Sequence, residues 1–282
     1  MRTKETMKQL ILDVAKNDRR VRGIILNGSR ANPNAVQDNY MDFDVVYYVD
    51  DFESFPKDNK WIDVFGKRFL MQTSKDFVFA VDKRKNVYVW LMLFEDGNRI
   101  DLTVKDVSEM IEDTASESDG LAELWLDKDN RIERMPNATE SQYFVKRPTR
   151  ALYNSCMNEF YWIVPSVVKS LKRDELPSAW FYVNILRHCL EGMIDWYFGD
   201  LHDYAISTGK FKKNYRRLLD KDAYTKYLET FFDASAKASF IKGLPLIFDL
   251  FQWYALRVAK IHGYKFDEET HQKVMEYVKK HL

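Results

Sequence analysis

The chain has 282 residues, with 43 Lys plus Arg against 43 Asp plus Glu, so its formal net charge is zero and it lacks the basic excess of a primary nucleic-acid binder. Its two cysteines, Cys156 and Cys189, are too few for a disulfide framework, and no run of about eighteen apolar residues proposes a membrane span. What stays open is a two-domain protein, expected to be cytoplasmic, whose partners are small charged molecules rather than nucleic acid or a membrane.

Met7, Leu10, Ile11, Val14 and Ala15 fall on one helical face, which predicts an N-terminal helix ending near Asn17-Asp18 rather than a signal peptide. Val21 to Leu26 reads as the first strand. Gly28 and Ser29 then offer a tight turn whose N–H groups and hydroxyl suit a phosphate oxygen. Arg30, immediately after, reaches either a phosphate or a nearby carboxylate. Asn32-Pro33-Asn34 forces a loop, and the strand that follows carries Asp42 and Asp44. Residues two apart on a strand share a face, so the two carboxylates project side by side while Phe43 and Val45 turn into a core. Such a pair repels itself and needs a cation or a shared proton; a divalent metal held by carboxylates and substrate phosphates is the common remedy.

Residues 52–56 read as a short turn or helix, and a further strand is expected within 61–71. The next strong signal is a hairpin, Val87 to Phe94 and Arg99 to Lys105 around Glu95-Asp96-Gly97-Asn98, where Gly and Asn suit a positive-φ turn. Asp101 stands between Ile100 and Leu102 and so faces away from both. It is either a solvated polar residue or a third carboxylate that completes a metal site or takes a proton from an attacking hydroxyl. A short helix follows from Asp106, capped by Asp106 or Ser108, and 121–126 reads as a last strand.

Near Arg131 to Pro136 the strand pattern gives way to helical periods, which puts a domain boundary between 134 and 135. Helices are expected over 149–171, interrupted or kinked at Pro165, then 177–197, 234–261 and 268–280, with a basic loop leading to Tyr215. The fold class is therefore α+β: a mixed sheet with flanking helices over 1–134, then a helical bundle over 135–282.

The Gly-Ser turn, the polar loop and the acid-apolar-acid-apolar strand MDFDV together resemble the signature of the DNA polymerase β-like nucleotidyltransferase superfamily. The segments LFEDGNRIDLTV, LDKD, QYFVKRPT and NEFYWIVPSVVKSL narrow this: they are similar to bacterial aminoglycoside 6-adenylyltransferases, the streptomycin-modifying branch. The similarity runs over about 21–172 and again near Gly209. It implies that ATP and Mg2+ enter a cleft between the sheet and the helices, that an aminoglycoside hydroxyl attacks the α-phosphorus, and that pyrophosphate leaves, which confers antibiotic resistance. It further implies Asp42 and Asp44 as metal ligands, Gly28 and Ser29 on the triphosphate, Asp101 as third ligand or base, and Lys213 as a counter-charge to the triphosphate.

Two other residues come from their surroundings. Lys169 sits in the apolar run VVKSL, and a buried lysine needs an anion such as phosphate. The resemblance implies a polycationic acceptor, which Glu159, beside Tyr161 and Trp162, would suit; otherwise it is a structural partner for Lys or Arg. Around 178–199 and from 223 onward little matches the family pattern, so the acceptor is less well indicated than the adenylyl transfer. The alternatives are an adenylyltransferase acting on another small-molecule or protein hydroxyl, and a nucleotide-binding module without catalysis. A monomer and a homodimer are both compatible with the sequence.

Overall fold

The structure, a computed structural model, describes residues 1–77, 86–115 and 120–282. They divide into two units, Met1–Gln142 and Tyr143–Leu282. The division falls later than the expected 134/135 because the intervening residues bond to the first unit. The Asn32 and Asn34 amides both donate to Glu140 at 3.0 Å, the Thr139 N–H donates to the Gly120 carbonyl, and Ala138 packs on the sheet core.

The first unit opens with helix α1 (Lys4–Asn17), whose Thr3 hydroxyl caps the Thr6 N–H and whose Met7, Ile11 and Ala15 are buried. Among the described residues six strands follow: β1 (Val21–Asn27), β2 (Phe43–Val49), β3 (Arg68–Thr73), β4 (Val87–Phe94), β5 (Arg99–Asp106) and β6 (Ala122–Asp127). They form one sheet in the order β3-β4-β5-β2-β1-β6, in which β2 and β5 run parallel and every other neighbouring pair is antiparallel.

Burial follows position in the sheet. β4 and β5 alternate buried and half-buried residues, the mark of a strand covered mainly on one face. β2, in the middle, is buried nearly throughout. Its Phe43, Val45, Tyr47 and Val49 enter the main core with Ile100, Leu102 and Val104 of β5 and Met7 and Ile11 of α1. Val46 and Tyr48 face the other way, onto Met110 at the start of α2 (Met110–Ala115). There the Tyr48 hydroxyl donates to Asp113 at 2.8 Å and the Lys105 ammonium to the same carboxylate at 2.6 Å. That second face is thus closed by α2 toward the Val49 end of β2. Its opposite end belongs to Asp44 and Asp101.

The strand expected within 61–71 begins only at Arg68. Asn59–Phe65 instead forms a 3-10 helix, started by the Asp58 carboxylate accepting from the Lys60 N–H and held by burial of Ile62 and Phe65. Trp61 meets Phe55 and Trp90 edge-on there, at centroid distances of 4.9 and 5.2 Å. Ring packing of this kind outweighs strand propensity.

The second unit is helical: α3 (Arg150–Lys172), α4 (Leu176–Leu201), α5 (Tyr215–Leu218), α6 (Lys221–Glu229), α7 (Lys237–His262) and α8 (Glu268–His281). α3 packs on α4 and α8, and α4 on α7. Phe160 of α3 lies stacked on Phe251 of α7, centroids 3.6 Å apart, in the centre of this core. Of the interruption or kink expected at Pro165, the interruption does not occur: α3 runs on through the proline as one helix. The buried residues Ile163, Val164, Val167 and Val168 on either side hold it to the bundle despite the missing N–H. Among the described residues no helix is long and apolar enough to cross a membrane.

Candidate active site

Asp44 and Asp101 are direct partners on the parallel strands β2 and β5. Strands in a sheet lie about 4.8 Å apart, and residues paired across a parallel ladder project to one face, so the two carboxylates stand side by side on the face opposite the main core. Asp42, just ahead of β2, lies near the same array, where the charges of Arg99 and Asp101 act on it. Like charges placed opposite one another are destabilising, and the protein answers this locally with Arg99. Two residues before Asp101 on β5, Arg99 shares its face. The guanidinium donates through Nε and Nη2 to both Asp101 oxygens at 2.7 Å, and its Nη1 lies 3.5 Å from Asp42 Oδ2. The charge of Asp44 also acts on it. Burial pushes the Asp42 carboxyl above the usual carboxylate range; Arg99 opposes that shift and the nearby Asp101 adds to it.

The Gly-Ser turn abuts these acids. β1 ends with Asn27 paired to Asp44, and Gly28 turns away at φ +75°. A β-carbon at Gly28 would come within 3.2 Å of the Asp44 Cγ and closer still to Oδ2, so only glycine leaves the carboxylate room. The Gly28 N–H is taken by the Leu121 carbonyl at 2.9 Å, which ties β1 to the start of β6. A phosphate at this turn would therefore have the Ser29 N–H and hydroxyl to bond, not the Gly28 amide.

The Arg30 side chain bonds to backbone oxygens. Its Nε donates to the Asp42 carbonyl at 2.8 Å and its Nη2 to the Met41 carbonyl, while the guanidinium lies 3.8 Å over the Phe43 ring. It fixes the backbone that delivers Asp42 to the face. Lys169 is exposed in the last turn of α3, contrary to the buried position expected for it. The buried residues of that helix leave a solvent stripe through Glu159, Trp162, Pro165 and Lys169, and a lysine there needs no anion. Glu159 is exposed beside Trp162, which is 76% exposed, whereas Tyr161 turns inward and shares a hydrogen bond with His271 at 3.0 Å. Lys213 is exposed, and it is its neighbour Lys212 that pairs with Asp195 of α4.

Three carboxylates at one end of a sheet face are hard oxygen donors, the type that suits Mg2+. Among the described residues they are not drawn together into a group of three already placed to hold an ion. The residue missed from the sequence is Arg99. Its signal was present in the alternation RID, which places it on the same face as Asp101, two positions away.

Residues 1–281 match the protein family described as streptomycin adenylyltransferase. An aminoglycoside 6-adenylyltransferase from Bacillus subtilis (strain 168) is 35% identical over 269 residues, 95% of this chain and 94% of that protein. One from Campylobacter jejuni is 36% identical over 234 residues, 82% and 80% of the two chains. A crystal structure of an aminoglycoside 6-adenyltransferase from Bacillus subtilis aligns at 30% identity over 99% of this chain and 98% of that one, with a TM-score of 0.48. With the family match over residues 1–281 and relatives 35% and 36% identical over most of the chain, the chain belongs to the streptomycin adenylyltransferase family and is a nucleotidyltransferase.

Proposed function

We propose that this enzyme transfers the adenylyl group of ATP to a hydroxyl of an aminoglycoside, with Mg2+ as the metal, pyrophosphate as the leaving group and streptomycin as the acceptor to try first. The observation that carries the reading is the in-register pairing of Asp44 with Asp101, with Asp42 at the head of β2 and Gly28 against Asp44. The relatives' own names supply the acceptor class.

Asp42, Asp44 and Asp101 would hold Mg2+. Bound there, the divalent ion supplies charge neutralisation on the transferring phosphoryl group and on the departing pyrophosphate. The acceptor oxygen forms its bond to the α-phosphorus as the bond to pyrophosphate breaks, and the hydroxyl proton passes to a carboxylate, for which Asp101 is the candidate. Ser29 offers its hydroxyl and N–H to a phosphate oxygen. Lys213 adds positive charge for the triphosphate, whereas Lys169 loses the argument from burial. On α3, the Glu159 carboxylate and the Trp162 ring form the pairing that suits a polycationic sugar, charge attraction on one side and a π-face on the other.

The test is pyrophosphate release with ATP and Mg2+, with streptomycin, with other aminoglycosides and with no acceptor. Release that requires streptomycin is expected. Release that requires a different acceptor moves the substrate assignment, and no release with any of them overturns the reading.

A further inference from the structure

We propose that Arg99 is the resident counter-ion of the acidic face and that it competes with the divalent cation for Asp101 and Asp42. The inference rests on the metal role proposed for the three acids. Both Asp101 oxygens accept from Arg99, in the fork-to-fork geometry that makes Arg–carboxylate pairs strong and directional. The same guanidinium stands 3.5 Å from Asp42. A cation that took Asp101 as a ligand would bind those same oxygens, at roughly 2.1 Å for Mg2+, and so bring its charge up against the guanidinium that the fork holds there; that repulsion sets the two cations in competition.

The burial of the two partners is unequal, which gives the exchange a direction. The Asp101 side chain is 19% exposed and that of Arg99 41% exposed. Arg99 can therefore swing into water at little desolvation cost, while Asp101 cannot be left without a positive partner. Arg30, a second cation near these acids among the described residues, is held by the backbone carbonyls of Met41 and Asp42 and does not take its place. The metal-free enzyme thus keeps part of the negative charge on its β2–β5 ladder offset, and ion binding is an exchange of one cation for another. Arg99 acts through Asp101 and Asp42 and is a positioning residue.

The experiment is titration of Mn2+ into the full chain without ATP, followed by electron paramagnetic resonance, for the wild type, Arg99→Gln and Arg99→Lys. Removing the competitor should lower the half-saturating Mn2+ concentration on the order of 10-fold in Arg99→Gln, with Arg99→Lys in between because it keeps the charge and loses the fork. In parallel, the metal-free melting temperature of Arg99→Gln should fall below that of the wild type, and Mn2+ should raise it by more. Asp44→Asn serves as the control that weakens binding. An unchanged or raised half-saturating concentration in Arg99→Gln, alongside Mg2+-dependent pyrophosphate release by the wild type, overturns the inference and leaves the proposed function standing. No Mn2+ binding by any of the proteins overturns the metal role and this inference together.

Discussion

The Asp44 carboxylate passes over Gly28 so closely that a β-carbon on the glycine would sit 3.2 Å from its Cγ. Gly28→Ala must meet that clash and also adopt a φ of +75°, a conformation that costs a residue with a β-carbon roughly 1–2 kcal/mol. Asp44 would be pushed out of line with Asp101. Turnover, read as pyrophosphate release, should fall by about 10-fold or more, with a stability loss of about 1–2 kcal/mol in a urea titration. Wild-type kcat in this variant would mean that the close packing has no catalytic consequence.

Neutralising the acids one at a time separates their roles. Asp42→Asn and Asp44→Asn should each lower kcat on the order of 100-fold or more with the fold intact by circular dichroism, since each removes a proposed metal ligand and relieves like-charge crowding. Asp101→Asn should be at least as damaging, because Arg99 loses its main partner as well. If raising Mg2+ restores the Asp101→Asn rate, the residue is a ligand; if it does not, the residue is the proton acceptor. Full activity in Asp42→Asn would refute the site.

Away from the site, Asp96 in the hairpin turn holds the N-terminus down. Hydrogen bonds from the Arg2 side chain, one of them 2.7 Å to Nε, hold its carboxyl well below the usual carboxylate range, and Asn98 adds to the effect. A carboxylate depressed in the folded state stabilises above its unfolded pKa, about 3.9, and that contribution is lost as pH falls toward the folded value. The pair is about a quarter exposed, which screens it, so Asp96→Asn should cost roughly 1 kcal/mol at pH 7. Denaturant titrations should show the difference from wild type constant from pH 7 to about 5 and shrinking below about pH 4. A difference that widens in acid would contradict the assignment.

In the helical unit, Phe160 is fully buried and stacked on Phe251, with Phe248 edge-on to it at 5.9 Å. Phe160→Ala should cost about 3–5 kcal/mol, the range for losing a buried aromatic ring and leaving its cavity. Thermal unfolding would measure it. A change under about 1 kcal/mol would mean that the helices collapse onto the gap.

Much of the sheet could be read from local pattern, because strand alternation and turn chemistry act over a few residues. The Glu95-Asp96-Gly97-Asn98 turn, the hairpin on either side of it and the outward facing of Asp101 all lie where period two and a positive-φ glycine put them. The long helices α3, α4, α7 and α8 were legible for the same reason, although α4 runs on to Leu201 past the expected Tyr197. The short helices α5 and α6 were not. Their residues are held in place by contacts with α4, such as the Tyr215 hydroxyl on Asp195 at 2.7 Å and the Tyr227 hydroxyl on Glu191 at 2.8 Å, and contacts so distant in sequence leave no periodic trace.

The same distinction divides the site. By itself the sequence determined which acids face away from the core, since a strand's two faces are settled by neighbouring residues, and it determined the family through motifs carried in short segments. Only the tertiary structure decided that Asp44 and Asp101 stand in register across β2 and β5, that Arg99 spans Asp101 and Asp42, and that Arg30 is spent on the backbone while Lys169 faces water. Register between strands far apart in the chain, and the partner an arginine chooses among several carboxylates and carbonyls, depend on how the whole sheet packs and which charges that packing leaves short of water.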